Sequence, residues 1–422
     1  MQQAPLTSRR RPFQSRNELR CLVAPGQRSP VDIASPDNRK ISKGETMKKI
    51  KVAVAAAATA IGLHGLAHAQ SSVTLYGVLS VGVGYVNNEG GHSAAKMIPG
   101  TMQNNRWGLR GVEDLGGGTS AGFVLENGFA MDDGKLQQGG RLFGRQAFVG
   151  LSNDSVGTLT LGRQYDAFYD TFSVMTAPVA ANGLATHIGD NDNAFGSFRH
   201  NNALKYVTPT WGGLRGEATY ALSDTNGAAN NRSFSFSAAY EGGPLKLAAG
   251  YLQLDRPGLV ASSNPNGAVT DDYAGAPFVL FHASPLSPAA GVTRQRVGGL
   301  AAGYSVGPAR FNAMVTTSRY AYQDGTSLRL NNYDLNMTYA IAPAVVLGAG
   351  YVFTDGKYSG AIGNPKWHMG QLSVDYFFSK RTDVYLYGVY QRAQSANADI
   401  YLFAPSGNER QLVVITGIRH KF

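Results

Sequence analysis

Alternation of apolar and polar side chains, sustained over most of residues 71–422, is the feature that most limits what this chain can fold into. In "NYDLNMTYAIA", Tyr333, Leu335, Met337, Tyr339 and Ile341 share one face, and Asp334, Asn336 and Thr338 share the other. In "SFSFSAAY", Phe234, Phe236, Ala238 and Tyr240 oppose Ser233, Ser235 and Ser237. A period of two belongs to a strand, and helical periodicity is scarce. Segments of roughly ten residues or more suit a tilted strand that crosses a bilayer.

The connections alternate in length. Short ones fall at 114–119, 153–157, 209–213, 241–244, 306–309, 341–344 and 379–382. Longer polar stretches lie near 87–103, 132–141, 166–198, 224–231, 257–293, 321–326, 355–364 and 394–408. Seven short and eight long connections imply about sixteen strands. Short turns at one end and long loops at the other are the layout of an outer-membrane barrel. A soluble sandwich also alternates, but its apolar face would point to a dry core. Here Tyr and Phe recur toward strand ends, as in "VYLYGVY" and "VDYFFSK", which suits aromatic girdles at the bilayer edges. Lipid leaves only a closed barrel, because open edges would strand backbone N–H and C=O groups. The reading is an all-β fold, a 16-stranded antiparallel transmembrane β-barrel with short periplasmic turns and long extracellular loops.

Upstream, "MKKIKVAVAAAATAIGLHGLAHAQ" has the three parts of a secretory signal. Lys48, Lys49 and Lys51 precede an apolar run too short to span a membrane, and Ala67-His68-Ala69 is a small-x-small cleavage site. Residues 47–69 are read as the signal peptide, cleaved between Ala69 and Gln70, leaving 70–422 as the barrel. Residues 1–46 are rich in Arg, Pro and Ser and lack periodicity. They are expected to be disordered and to reflect a start assigned upstream of Met47. Residues 1–69 hold 12 Lys/Arg against 4 Asp/Glu, leaving 26 against 24 for the rest of a chain whose net charge is +10. The basicity therefore sits mainly in the presequence, and the case for a nucleic-acid partner falls. The single cysteine, Cys21, also lies there, so no disulfide framework holds the exported part.

Specific stretches then resemble one family. "SSVTLYGV", "NNRWGLRGVEDLGGG" (104–118), "LFGRQAFVGLSNDSVGTLTLGRQYD" (142–166), "RHNNALKYVTPTWGGL" (199–214) and the terminal "GIRHKF" are, in this order, similar to the Gram-negative general porins. The resemblance covers residues 71–422. It implies a homotrimer in the outer membrane, in contact with lipid and lipopolysaccharide, that passes small hydrophilic solutes by passive diffusion. It also implies that the third external loop, here 166–198, folds into the barrel as a constriction, its carboxylates facing a basic wall. Phe422 matches the signal read by the barrel-assembly machinery. The Pro-Glu-Phe-Gly-Gly motif of some enteric members is missing from the loop, and Val78 stands where some relatives carry a lumen lysine.

Strand parity gives a second line on the wall. With Trp107 and Leu109 toward lipid, Arg106 and Arg110 point inward. With Phe148 taken as outward, Arg145 is expected inside; with Leu204 and Tyr206 outward, Arg199 and Lys205 are inside. Guanidinium groups are tolerable there because the lumen is wet. The alternative is that they pair structurally with nearby carboxylates. Arg163 shares the parity of Leu159 and Leu161, so it should face outward, at a subunit interface or snorkelling to the rim. Asp190 and Asp192, with Asp170 behind them, are the expected acidic side of the constriction. Three or more arginines against about two carboxylates favour anions weakly.

An enzyme would need a Ser–His constellation or zinc spacing, and His187, His200, His282 and His368 stand alone in the sequence. No cofactor and no metal site are expected. A substrate-specific channel would line its path with aromatics, and Tyr165, Phe168, Tyr169 and Phe172 cluster at the start of the third loop, where packing against the wall is the simpler role. A surface adhesin or receptor is the third alternative, suggested by the long 257–293 stretch.

Overall fold

The computed structural model describes residues 72–422 apart from 226, 228, 258–265, 270, 276–279 and 361–362. The extension 1–46, the signal segment 47–69 and the cleavage pair Ala69 and Gln70 lie outside the described residues. Seventeen β segments form one sheet: β1 (Ser72–Glu89), β2 (His92–Pro99), β3 (Arg106–Gly116), β4 (Thr119–Gly128), β5 (Gln146–Asn153), β6 (Gly157–Gln164), β7 (His200–Val207), β8 (Leu214–Ala221), β9 (Arg232–Gly242), β10 (Leu245–Asp255), β11 (Val292–Val306), β12 (Ala309–Tyr322), β13 (Ser327–Ala342), β14 (Val345–Ser359), β15 (Lys366–Phe377), β16 (Thr382–Gln394) and β17 (Arg410–Lys421). β2 and β3 both pair with β1, over Val81–Glu89 and Ser72–Val78, so they are two halves of one barrel strand. The barrel is therefore sixteen-stranded. β17 closes it on β1, from Val78 opposite Lys421 to Val86 opposite Val413, and every neighbouring pair is antiparallel.

All seven expected short turns connect strands on one side. The first long connection does not appear as a loop. β1 and β2 run on into a hairpin at Gly90-Gly91, where φ values of 62° and 96° suit glycine. The irregular part is displaced to 100–105, between β2 and β3, where Gly100 N–H donates to the Ser80 carbonyl at 2.7 Å.

The side-chain pattern is inside out relative to a soluble sandwich. Leu300 (66% exposed), Leu372 (70%), Val149 and Leu335 cover the outside, while Asn332, Asn336, Thr316 and Gln371 are buried on the inside. Apolar-out, polar-in alternation is stable where lipid is the outer solvent. Among the described residues no helix is long and apolar enough to cross a membrane; the strands do so.

The polar interior is filled on one side by the long segment between β6 and β7. Asp166 caps its first helix, Ala167–Phe172, accepting from Phe168 N–H at 2.8 Å and Tyr169 N–H at 3.2 Å. Phe168 and Phe172 stack at 4.1 Å and are fully buried against the inner wall. Glycines make the room: a Cβ on Gly250 would stand 2.8 Å from the Phe172 ring, and one on Gly348 would stand 2.2 Å from the Ala181 carbonyl oxygen. Polar side chains of the wall then hold the loop backbone. Gln371 donates to Ala177 O at 3.0 Å, Asn336 to Met175 O at 2.8 Å, and Gln295 to Asn191 O at 2.8 Å.

Candidate channel constriction

Across the lumen from these anchors, two arginines meet at one ring and a third joins them through a carboxylate. Arg145 and Arg199 both donate to the Tyr165 hydroxyl, at 2.8 and 2.5 Å, and the Arg199 guanidinium lies 4.6 Å from the ring centre. Tyr165 is held by stacking on Tyr169 at 4.0 Å. Arg106 joins through Glu126: its Nε lies 3.6 Å from Oε2, and Arg145 Nε donates to Oε1 at 2.8 Å. Tyr76 donates to the remaining lone pairs of Oε2 at 2.9 Å. The arrangement is three guanidinium groups, one carboxylate and two phenols.

Glu126 was missed by sequence reasoning. Its signal was a single acidic residue inside strand "AGFVLENG", paired with Gly108 and thus on the parity of Arg106. Arg145 reaches the lumen by a different route from the expected one. Phe148 is buried on the inner side, 5% exposed, whereas Val149 and Leu151 face out. Arg145 precedes the first residue of β5, so strand parity does not bind it, and its N–H still reaches the Glu126 carbonyl at 3.1 Å. Arg110, four residue pairs below Arg106, is exposed and lies 5.7 Å from the Tyr76 ring centre.

The expected acidic side is arranged otherwise. Lys205 and Asp170, placed on opposite sides by sequence reasoning, are an ion pair with each other, and Lys205 also donates to Tyr165 O at 3.2 Å. Asp190 and Asp192 are buried inside the loop. Asp190, at a φ of 42°, accepts from Phe195 N–H at 2.9 Å and Ser197 N–H at 3.0 Å, tying a tight turn. Burial and the neighbouring Asp192 charge push its carboxyl up to about 7. Asp192 bonds His187 Nδ1 at 2.6 Å and accepts from Ala194 N–H at 3.2 Å and from the Thr316 hydroxyl. Burial alone would raise Asp192, but the His187 charge and these donors bring it below its ordinary value.

Arg163 does follow the outward parity of Leu159 and Leu161, opposite Ala147. Its guanidinium is occupied by its own chain: Gly144 O at 2.7 Å, Asn201 Oδ1 at 2.5 Å, and the Asp272 carboxylate of the segment between β10 and β11. With its side chain 8% exposed, it already has these partners within its own chain.

Two histidines expected to stand alone are in clusters. His187 lies between Asp192 and Asp334, and His200 joins Ser233 Oγ at 2.6 Å to Asp166 Oδ2 at 3.2 Å. Ser233, His200 and Asp166 are the side-chain types of a hydrolytic triad, yet Ser233 is 1% exposed and the other two are fully buried. No substrate reaches that hydroxyl, and Asp166 is already engaged as a helix cap; the cluster seats the loop.

Comparison with known proteins agrees with the fold. A family model described as Gram-negative porin matches residues 53–397. An outer membrane porin protein of Bordetella pertussis is 31% identical over 405 residues, covering 88% of this chain and 100% of that protein. Outer membrane porin protein 32 of Delftia acidovorans is 30% identical over 399 residues, covering 89% and 100%. Among solved structures, an anion-selective porin from Comamonas acidovorans superposes with a TM-score of 0.68 at 25% identity, covering 84% of this chain and 100% of that one. OmpF of Salmonella typhi shares the fold, with a TM-score of 0.56 at 20% identity over 83% and 97%.

Proposed function

Because the chain belongs to the Gram-negative porins, outer-membrane channels for passive diffusion, we propose that its lumen favours small hydrophilic anions through an eyelet formed by Arg106, Arg145 and Arg199. The observation that carries this reading is the charge balance at Tyr165. Arg145 and Arg199 meet at its hydroxyl and Arg106 and Arg145 share one carboxylate, Glu126, while Asp170 is neutralised by Lys205 and Asp190 and Asp192 are turned into the loop. Screening over roughly 8–10 Å at physiological ionic strength makes these near charges outweigh distant ones. Arg110 extends the same positive path below them. The neighbour named as anion-selective lends support.

The third loop is the constriction in this reading, and the homotrimer implied by the family resemblance is its assembly. The aromatics at the start of the loop do not form a sugar slide: Phe168 and Phe172 are spent on packing, and Tyr165 on the arginines. The test is planar-bilayer current from residues 70–422 under a salt gradient. Reversal potentials favouring chloride, moved toward potassium by Arg106→Gln with Arg199→Gln, are expected. A potassium preference in the unaltered protein would overturn the assignment while leaving the porin intact.

A further inference from the structure

Arg199 is a buried charge with no carboxylate to balance it. It is 2% exposed, and among the described residues no Asp or Glu lies within ion-pair distance of its guanidinium. The other two arginines of the wall are better provided. Arg145 is held between Glu126 and Tyr165, and Arg106 leans on the same Glu126. Arg199 has two neutral acceptors, the Ser197 carbonyl at 3.1 Å and the Tyr165 hydroxyl at 2.5 Å, and its Nε meets no acceptor among the described residues. A buried charge is costly unless polar groups compensate it, so the loss of one acceptor weighs more on Arg199 than on Arg145.

Tyr165 is itself fixed in place. Its ring stacks on Tyr169 at 4.0 Å, its carbonyl accepts from Lys205 Nζ at 3.2 Å, and the next residue, Asp166, caps the loop helix. Its ring centre lies 4.6 Å from the Arg199 guanidinium and 6.0 Å from that of Arg145. A phenol oxygen has two lone pairs, and here each receives one guanidinium N–H. One neutral oxygen therefore holds two like charges side by side, against their repulsion.

We propose that Tyr165 is a positioning residue: its hydroxyl fixes Arg199, and through Arg199 it sets the ion selectivity of the channel. This rests on the anion-selective eyelet proposed above. Without that oxygen, Arg199 keeps a single acceptor and turns away from Arg145 into lumen water, where its charge is hydrated and screened. Tyr165→Phe makes this change alone, because the ring, its stacking and its shape remain. The test measures reversal potentials of refolded residues 70–422 in planar bilayers under a salt gradient, for the unaltered protein, Tyr165→Phe, Arg199→Gln and the double variant. Heat-modifiable migration shows that each barrel is folded. Tyr165→Phe is expected to lower the chloride-to-potassium permeability ratio by about twofold or more, and to add little in the Arg199→Gln background, because coupled residues are not additive. An unaltered ratio in Tyr165→Phe would overturn the proposal. So would the same change with and without Arg199, which would assign Tyr165 to seating the third loop instead. The coupling is a difference between two backgrounds, so it is decided whichever ion the unaltered protein prefers, and it fails separately from the anion reading.

Discussion

Arg145 donates Nε to Glu126 Oε1 at 2.8 Å, a contact between two side chains that are each about 5–6% exposed. The same carboxylate serves Arg106 and Tyr76, so it ties two arginines of the wall, Arg106 and Arg145, together. Glu126→Gln keeps the shape and the acceptor oxygen but removes the charge. The expected outcome is a stronger chloride preference in the reversal potential, with barrel stability lowered by about 1–3 kcal/mol. A shift toward potassium would show that Glu126 does not balance the eyelet.

The seat of the third loop gives a second prediction. A Cβ on Gly348 would stand 2.2 Å from Ala181 O and 2.3 Å from Ser373 Oγ, whereas one on Gly370 would meet nothing within 4 Å. Gly348→Val therefore costs about 1–3 kcal/mol of overpacking unless the loop moves off the wall. Single-channel recording should show altered conductance and noisier open states for Gly348→Val, and native behaviour for Gly370→Val. Identical traces from both variants would mean that the loop is not seated there.

Much of this was legible before any coordinates. Residues such as Leu335 and Asn336 reveal their faces because each strand has lipid on one side and a wet lumen on the other, and period two records that directly. Parity failed where a side chain lies off the ladder or where both faces are apolar. "RQAFVGL" carries Ala147, Phe148 and Val149 in a row, and only packing decides that Phe148 faces in. The pairing of Lys205 with Asp170 spans strand and loop, and the inward turn of Asp190 depends on positive φ at Gly189, Asp190 and Asn193; neither leaves a periodic trace. Arg163 looked unpartnered because Asp272, 109 residues later, folds back onto it.

His187 links loop anchoring to pH. It lies in the loop, outside the membrane-spanning strands, with Asp192 at 2.6 Å and Asp334 at 3.8 Å. Burial works against its charge, but Asp192 and then Asp334 outweigh it and raise its pKa to about 9. A raised value stabilises the folded loop fully below the ordinary histidine pKa of about 6.5 and progressively less as pH climbs through about 9. Channel noise should therefore increase between about pH 8 and 10 in the native protein. His187→Gln, which cannot titrate, should flatten that rise; a rise of the same size in the variant would place the titrating group elsewhere.

The closing strand supports a last prediction. Phe422 exchanges both backbone hydrogen bonds with Gly77, at 3.0 and 3.1 Å, and its ring occupies the space a Cβ on Gly77 would need, 2.3 Å from the ring edge. The final residue thus extends the β1–β17 seam by one pair, beyond the ladder that ends at Val78 and Lys421. Deleting Phe422 removes two ladder bonds, worth about 0.5–1.5 kcal/mol each, at the one seam that joins the chain's ends. An in vitro effect of that size should lower the thermal midpoint of refolded barrel only slightly. If Phe422 is also read by the assembly machinery, the deletion should reduce outer-membrane yield in cells far more than it lowers the midpoint in detergent. Comparing heat-modifiable protein in membranes with the melting of refolded material separates the two effects. A cellular loss no greater than the in vitro one would confine Phe422 to closing the seam.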